Sequence, residues 1–332
     1  MKTIYLAGGC FWGTEHYIRQ FDGVLDTVTG YANGNIPNPS YEQVYTDQTG
    51  YVECVKVCYD EQVLPLHTLL KLYFRSIDPL LKNRQGGDVG TRYRTGIYWS
   101  CESDKKTVKD VYAEILSTYE AEGHTSLAVE IRPLECFYPA EDYHQDYLIN
   151  NPAGYCHISL ATQHFAKTFA KLTKELSAIE GHGHPITKEE KYKILLEYIS
   201  QLSKFDYSLR DKLTDISLMI HQTFGFWWTG FYLVSGNHLI LGPYQGPLAC
   251  LRIGYGRGVC GAAWKEERTI VVPDVEEFPG HIACSSESKS EIVIPLHSDD
   301  EVVGVLDIDS EKLATFDNID ALWLERIVEL IH

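Results

Sequence analysis

Ile4-Tyr5-Leu6-Ala7-Gly8-Gly9-Cys10-Phe11-Trp12-Gly13 joins a strand to a helix through a cysteine. Ile4 to Ala7 has the apolar content of a strand, and Phe11 to Phe21 has the spacing of a helix. The two glycines let the backbone turn sharply between them. Cys10 falls at the helix start, where free backbone N–H groups favour an anion, so its thiol is expected to ionise more readily than usual. Phe11 and Trp12 lay an apolar surface beside the sulfur. These residues alone describe either a reactive cysteine next to an apolar subsite or a buried, inert cysteine ahead of a helix.

Outward from that junction the first half mixes strands and helices. Val52 to Tyr59 alternates as a strand, Leu66 to Ser76 reads as a helix, and Lys105 to Glu120 reads as another. Gly181-His182-Gly183-His184-Pro185 breaks any helix. A helix from Ala161 to Leu176 precedes it, and one capped by Thr187 with Glu190 follows. Beyond lie helices over 190–203 and 206–223, then strands over 229–234, 238–242 and 270–272. A hairpin pairs 291–297 with 302–308 across Ser298-Asp299-Asp300. The helix from Phe316 to Ile331 puts Ile319, Leu322, Trp323, Ile327 and Leu330 on one face. No repeat links the halves. The expected organisation is a first domain over 1–178, a linker over 179–189 and a second domain over 190–332, both α+β.

A chain of 332 residues suits two domains. Hydrophobic residues make up 44% and charged residues 23%, so burying a core is no obstacle. The net charge of −17 argues against a nucleic-acid partner, and neither half hides a basic stretch behind the average. No apolar run is long enough to span a membrane, and the residues before Cys10 are too few for a signal peptide. Nine cysteines, an odd count, point to a reducing, cytoplasmic setting with some thiols kept for chemistry. Cys54 and Cys58 share a strand face without a further ligand nearby, so zinc is not expected there. With Cys101 and Cys136 they read as packing residues. His182 and His184, lacking other ligands, read as linker residues, and no metal is expected.

Further segments sharpen the first half. Asn38-Pro39-Ser40-Tyr41, Thr49-Gly50-Tyr51-Val52-Glu53, Gly86-Gly87-Asp88-Val89-Gly90-Thr91-Arg92-Tyr93, Tyr143-His144-Gln145-Asp146-Tyr147 and Asn151-Pro152-Ala153-Gly154-Tyr155-Cys156 accompany Gly-Cys-Phe-Trp-Gly. Together, over about residues 1–170, they resemble the peptide methionine sulfoxide reductase A family. The resemblance implies that Cys10 attacks the sulfoxide sulfur. Glu53 would protonate the oxygen, which requires a raised pKa. Tyr41 and Tyr93 would hydrogen-bond that oxygen, Asp88 would order a water, and Phe11 and Trp12 would hold the substrate methyl group. Cys10 would become a sulfenic acid, and Cys156 would condense with it as the resolving thiol. Tyr51 stands where relatives often carry His.

The second half carries Gly242-Pro243-Tyr244-Gln245-Gly246, Ala249-Cys250-Leu251-Arg252-Ile253, Gly256-Arg257-Gly258-Val259-Cys260-Gly261 and Gly280-His281-Ile282-Ala283-Cys284. The segments Ser290-Glu291-Ile292-Val293-Ile294-Pro295-Leu296 and Gly304-Val305-Leu306-Asp307-Ile308-Asp309-Ser310 carry Glu291, Asp307 and Asp309. Its glycine-rich stretch lacks the lysine and strand context of a phosphate loop. Alternation leaves open whether Asp307 and Asp309 face solvent or a pocket. Over about residues 192–332 these motifs resemble the free methionine-(R)-sulfoxide reductases, which are single GAF domains. That resemblance implies Cys284 as nucleophile, Cys250 as main resolving thiol and Cys260 as auxiliary thiol. Glu291, Asp307 and Asp309 would form an acidic substrate pocket walled by Trp228 and Tyr232.

The two resemblances together imply a bifunctional enzyme for repair of oxidative damage. The first domain would reduce the S epimer, free or in oxidised proteins. The second would reduce the R epimer of free methionine sulfoxide. Both would end each cycle as disulfides and take electrons from thioredoxin, with no bound cofactor. A homodimer through the GAF domain is a further expectation. The alternative is an active first domain joined to a GAF module that senses a ligand or redox state.

Overall fold

The computed structural model describes all residues except 182–185, 203, 207, 283–285, 300 and 332. The chain divides into two compact units, Met1–Ala113 with Ser126–Ala170, and Glu114–Thr125 with Lys171–His332. Each holds one six-stranded sheet flanked by helices. The two-domain α+β architecture expected from the sequence is borne out.

In the first unit the strand order is Glu130–Pro133, Thr95–Trp99, Lys2–Gly8, Val52–Tyr59, Val24–Ala32, Phe137–Pro139. Neighbours are antiparallel except Thr95–Trp99 beside Glu130–Pro133, which is parallel. The Lys2–Gly8 strand is central, so its exit into the helix Phe11–Ile18 opens at one end of the sheet's middle. Gly9 makes the exit with φ +87°, a left-handed conformation that suits glycine. Val52–Tyr59 pairs Leu6 with Val55, so Glu53 lies two residues further along, at the end where Cys10 emerges. On its other side Glu53 pairs with Tyr31. The strand is buried nearly throughout rather than on alternate residues, because the sheet is covered on both faces. The helix after Cys10 ends at Ile18, one turn earlier than the spacing suggests.

In the second unit the order is Arg252–Gly254, His238–Gln245, Trp228–Ser235, Glu301–Ser310, Ser290–Ser298, Ile270–Val272, antiparallel throughout. The expected hairpin is present as Ser290–Ser298 with Glu301–Ser310, and Asp299 in its turn takes φ 49°. Ser208 caps Leu209–Phe224 by accepting from the Asp211 N–H, and Gly225 ends that helix at φ 66°.

The last helix, Asn318–Val328, departs from its expected face. Ile319 and Leu322 are 39% and 47% exposed, whereas Asp320 is fully buried beside Trp323, Leu324 and Ile327. Asp320 draws the helix round by closing a capping box with Asp317. It also accepts from the Tyr192 hydroxyl at 2.8 Å and the Lys188 ammonium at 2.6 Å. Polar satisfaction, which an apolar pattern does not register, sets this rotation. No described helix is long and apolar enough to cross a membrane.

Candidate functional site

Cys10 caps the helix Phe11–Ile18 and is 6% exposed. The Trp12 and Gly13 N–H groups point at its sulfur and favour the thiolate, as a helix start should. Burial outweighs them, and the Glu53 and Asp88 carboxylates add to it, so the thiol is held well above its ordinary range. The expected easier ionisation is therefore corrected: the helix start is present, but desolvation wins in the resting state.

Glu53 is 1% exposed and accepts the Phe11 N–H at 3.0 Å. Burial pushes its pKa to about 8, against the pull of that N–H and of the Arg92 cation. At neutral pH the group is a carboxylic acid, able to give a proton. Once neutral it no longer opposes ionisation of Cys10. Acid and thiol share one helix start, so the site accommodates one negative charge more easily than two.

Around this pair stand hydroxyl and aromatic groups. Tyr41 begins the short helix Tyr41–Tyr45, capped by Ser40 in a capping box. Its hydroxyl is pushed up to about 12, first by burial and then by Glu53. Tyr93, at the end of the turn Thr91–Tyr93, is raised for the same two reasons, so both remain O–H donors. Asp88 keeps one buried oxygen without a hydrogen-bond partner among the described residues. Phe11 is buried against Tyr31 and His144. Trp12 stacks on Tyr147 with ring centroids 3.8 Å apart, and its indole N–H donates to His144 Nδ1 at 3.1 Å. Together these form an aromatic wall beside the thiol.

Cys156 lies at the first turn of the same helix. A Cβ built on Gly13 would come within 3.2 Å of its sulfur and 2.8 Å of His157 Nδ1. Glycine at 13 thus makes room for the second cysteine next to the two N–H groups that serve the first. Gln163 donates to the Cys156 sulfur at 3.5 Å, and His157 Nε2 bonds the Gly8 carbonyl at 2.8 Å.

Sequence reasoning gave no role to Arg92 or His144, although both sit inside the quoted motifs. Arg92 is almost wholly buried between the rings of Tyr45 and Tyr93, 4.2 and 4.5 Å from their centroids, and pairs with Asp47 at 2.7 Å. His144 is buried, and burial lowers its pKa, so it is a neutral ring that accepts from Trp12. A basic or imidazole residue within a tyrosine-rich motif is the signal that could have found them. Cys54 and Cys58 are buried as expected, but Cys101 is exposed and Cys136 half-buried, so the packing reading fails for Cys101.

In the second unit Trp228, Tyr232, Cys260, Glu291, Asp307 and Asp309 line one pocket. The hairpin register explains this: Glu291 faces Asp309 across the strands, and Asp307 lies two residues along the same face. The face is the pocket side, which resolves the alternation left open by sequence. Burial first, then mutual repulsion, raises the Glu291 and Asp307 carboxyls, and burial lifts Asp309 to about 6. Cys260 donates to Glu291 at 3.9 Å and is itself raised by burial. Tyr232 donates to the Cys250 carbonyl at 3.0 Å, and Cys250 is disulfide-bonded. Cys284, like His182 and His184, lies outside the described residues.

The first unit's geometry defines a protein with a buried thiol set beside a buried carboxylic acid. Residues 2–175, more than half of the chain, match the family model for peptide methionine sulfoxide reductase. The chain belongs to that family. It is 52% identical over 158 residues to peptide methionine sulfoxide reductase MsrA of Clostridium acetobutylicum, covering 48% of this chain and 95% of that protein. Residues 208–331 match the GAF domain model. This half is 51% identical over 146 residues to GAF domain-containing protein A of Dictyostelium discoideum, covering 44% of this chain and 92% of that protein.

These matches correct the expectation for the second half. Solved structures resembling it are of two kinds. One is a free methionine-R-sulfoxide reductase from Neisseria meningitidis, at 45% identity and TM-score 0.44, covering 45% of this chain and 90% of that one. The other is a putative GAF sensor protein from Burkholderia vietnamiensis, at 39% and 0.43, covering 44% and 94%. At such TM-scores neither likeness assigns an activity. What stands is a GAF domain, so an R-epimer reductase, and with it a bifunctional enzyme, is not supported. The relay of Cys284, Cys250 and Cys260 loses the activity it was to serve. In physical terms, Cys260 is a buried, protonated thiol bonded to a carboxyl, and the three-cysteine motif does not by itself make a nucleophile.

Proposed function

We propose that the first unit reduces the S epimer of methionine sulfoxide in peptides and oxidised proteins. The observation that carries this is the buried Glu53 carboxyl, pushed up to about 8 by burial, accepting the Phe11 N–H beside Cys10. Cys10 attacks the sulfoxide sulfur while Glu53 gives its proton to the oxygen, helped by the Tyr41 and Tyr93 hydroxyls. The oxygen passes to Cys10 as a sulfenic acid and the thioether leaves. Cys156 then attacks that sulfur and water departs, leaving a Cys10–Cys156 disulfide. An external dithiol, which we take to be thioredoxin in the cytoplasm, restores both thiols. Phe11, Trp12 and Tyr147 form the apolar seat for the substrate methyl group, and Asp88 holds a water there. We place this domain at 1–178 and the second at 190–332, joined through 179–189. The test is thioredoxin-coupled turnover of the resolved S sulfoxide by wild type, Cys10→Ser and Cys156→Ser. Wild-type rates in either variant would reject the cycle.

For the second unit we propose a ligand-sensing role. The pocket's Asp307 Oδ1 is buried without a hydrogen-bond partner among the described residues, which a bound ligand would satisfy. A homodimer through the last helix fits its exposed Ile319 and Leu322, and sedimentation of wild type against Leu322→Glu tests it.

A further inference from the structure

The pocket of the second unit sets three metal-binding side chains around one point, with a fourth, His281, at its edge. Ligand atoms of Cys260, Glu291 and Asp307 lie within 4.8 Å of one another, all three residues being buried. His281 Nδ1 stands 4.0 Å from Glu291 Oε2. The Cys260 sulfur is 3.9 Å from Oε1 of the same carboxyl. Two of the four present buried atoms, Asp307 Oδ1 and His281 Nδ1, with no hydrogen-bond partner among the described residues. Asp307 is itself 7% exposed, too deep for solvent to serve it freely.

The electrostatics leave the same gap. Strand register holds Glu291 opposite Asp309 with Asp307 on the same face, an arrangement of like charges that destabilises unless neutralised. Arg257 lines the pocket, but it is exposed and forms no ion pair with these carboxyls among the described residues. Protons can neutralise the cluster, but His281 Nδ1 still has no hydrogen-bond partner among the described residues.

We propose that Cys260, Glu291, Asp307 and His281 bind a divalent transition metal of borderline softness, such as zinc. One sulfur, two oxygens and one imidazole nitrogen are a tetrahedral zinc set, whose donors stand roughly 3.3–3.8 Å apart at ordinary bond lengths. A movement of about a tenth of an ångström brings the sulfur to that distance from Glu291, whereas His281, outside the cluster of three, must swing inward to complete the set. The metal displaces the Cys260 thiol proton, and any carboxyl proton, to solvent without a change of oxidation state. This proposal rests on the ligand-sensing reading of the second unit and names the ligand.

The test is titration of the full chain with Co²⁺ as a spectroscopic stand-in for Zn²⁺. It is run in a Cys10→Ser background so that the reductase thiol adds no signal, with Zn²⁺ calorimetry in parallel. One equivalent should bind with a thiolate-to-cobalt charge-transfer band. That band should vanish in Cys260→Ser, and Asp307→Asn should weaken Zn²⁺ at least ~10-fold. Should Asp307→Asn lose its far-ultraviolet dichroism, the His281→Ala variant must show the weakening instead. No band, or a band that survives Cys260→Ser, overturns the metal site. If metal fails but small organic ammonium ions raise the melting temperature of wild type, and not of a folded pocket variant, ligand sensing stands without the metal. If neither shifts it, both readings fall.

Discussion

Replacing Glu53 by Gln keeps the side-chain shape and removes the proton donor. With its pKa at about 8, Glu53 is protonated in roughly nine molecules of ten at pH 7, against roughly three in a thousand for a carboxyl at its ordinary value. Burial therefore raises the population of the acid form by roughly 300-fold at that pH. A positioned general acid contributes about 10²- to 10⁴-fold, so kcat/KM for the S sulfoxide should fall by that factor in Glu53→Gln. The pH profile gives a sharper signature. Wild type needs the proton, so its rate falls as pH rises through about 8, where Glu53 ionises. Glu53→Gln has no proton to lose there, so its profile should lack that fall. The assay is steady-state turnover from pH 6 to 10 with a chemical dithiol in excess, checked by rapid-quench measurement of thioether formation. A variant within about threefold of wild type, or one that keeps the alkaline fall, would refute Glu53 as the acid.

Arg92→Met should move the wild-type alkaline fall to higher pH, because the guanidinium stabilises the Glu53 carboxylate and its loss makes the carboxyl a weaker acid; an unmoved or lowered midpoint would contradict this. Gly13→Ala should leave the first chemical step nearly intact but slow closure of the disulfide by at least ~10-fold, since the new methyl group meets the Cys156 sulfur and His157. Stopped-flow separation of thioether formation from disulfide closure checks it, and equal slowing of both steps would count against the placement of Cys156. Asp320→Ala should destabilise the second unit by about 2–3 kcal/mol in urea unfolding, because the buried Tyr192 hydroxyl and the helix cap lose their acceptor; a change under about 0.5 kcal/mol would show that the cap is dispensable.

Much of the first site was legible because its residues cluster in sequence motifs tied to two adjoining strands. Cys10, Glu53, Tyr41 and Tyr93 all reach one end of the Lys2–Gly8 and Val52–Tyr59 strands, or the turns packed there. The ionisation of Cys10 was misjudged because the helix start is a local feature, whereas burial depends on chain segments far away in sequence. Arg92 was missed as a function for the same reason: Asp47 and Tyr45, which hold it, come from another loop. In the last helix the apolar spacing gave the wrong face because Asp320 is buried by its partners Lys188 and Tyr192. The acidic pocket was half legible, since the hairpin register brings Glu291 and Asp309 together but does not show which side faces inward. A resemblance carried by the cysteine, acidic and aromatic motifs gave the idea of a second reductase, and the matching domain model defines only a GAF domain.

The central claim is that Cys10 takes the sulfoxide oxygen and Cys156 closes the cycle. The most direct measurement is a single turnover of resolved S sulfoxide without external reductant, followed by mass spectrometry of the thiols. The account predicts thioether and a Cys10–Cys156 disulfide in wild type, thioether with a sulfenic acid at Cys10 in Cys156→Ser, and no thioether in Cys10→Ser. Thioether formed by Cys10→Ser, or a wild-type disulfide that excludes Cys10, would contradict it.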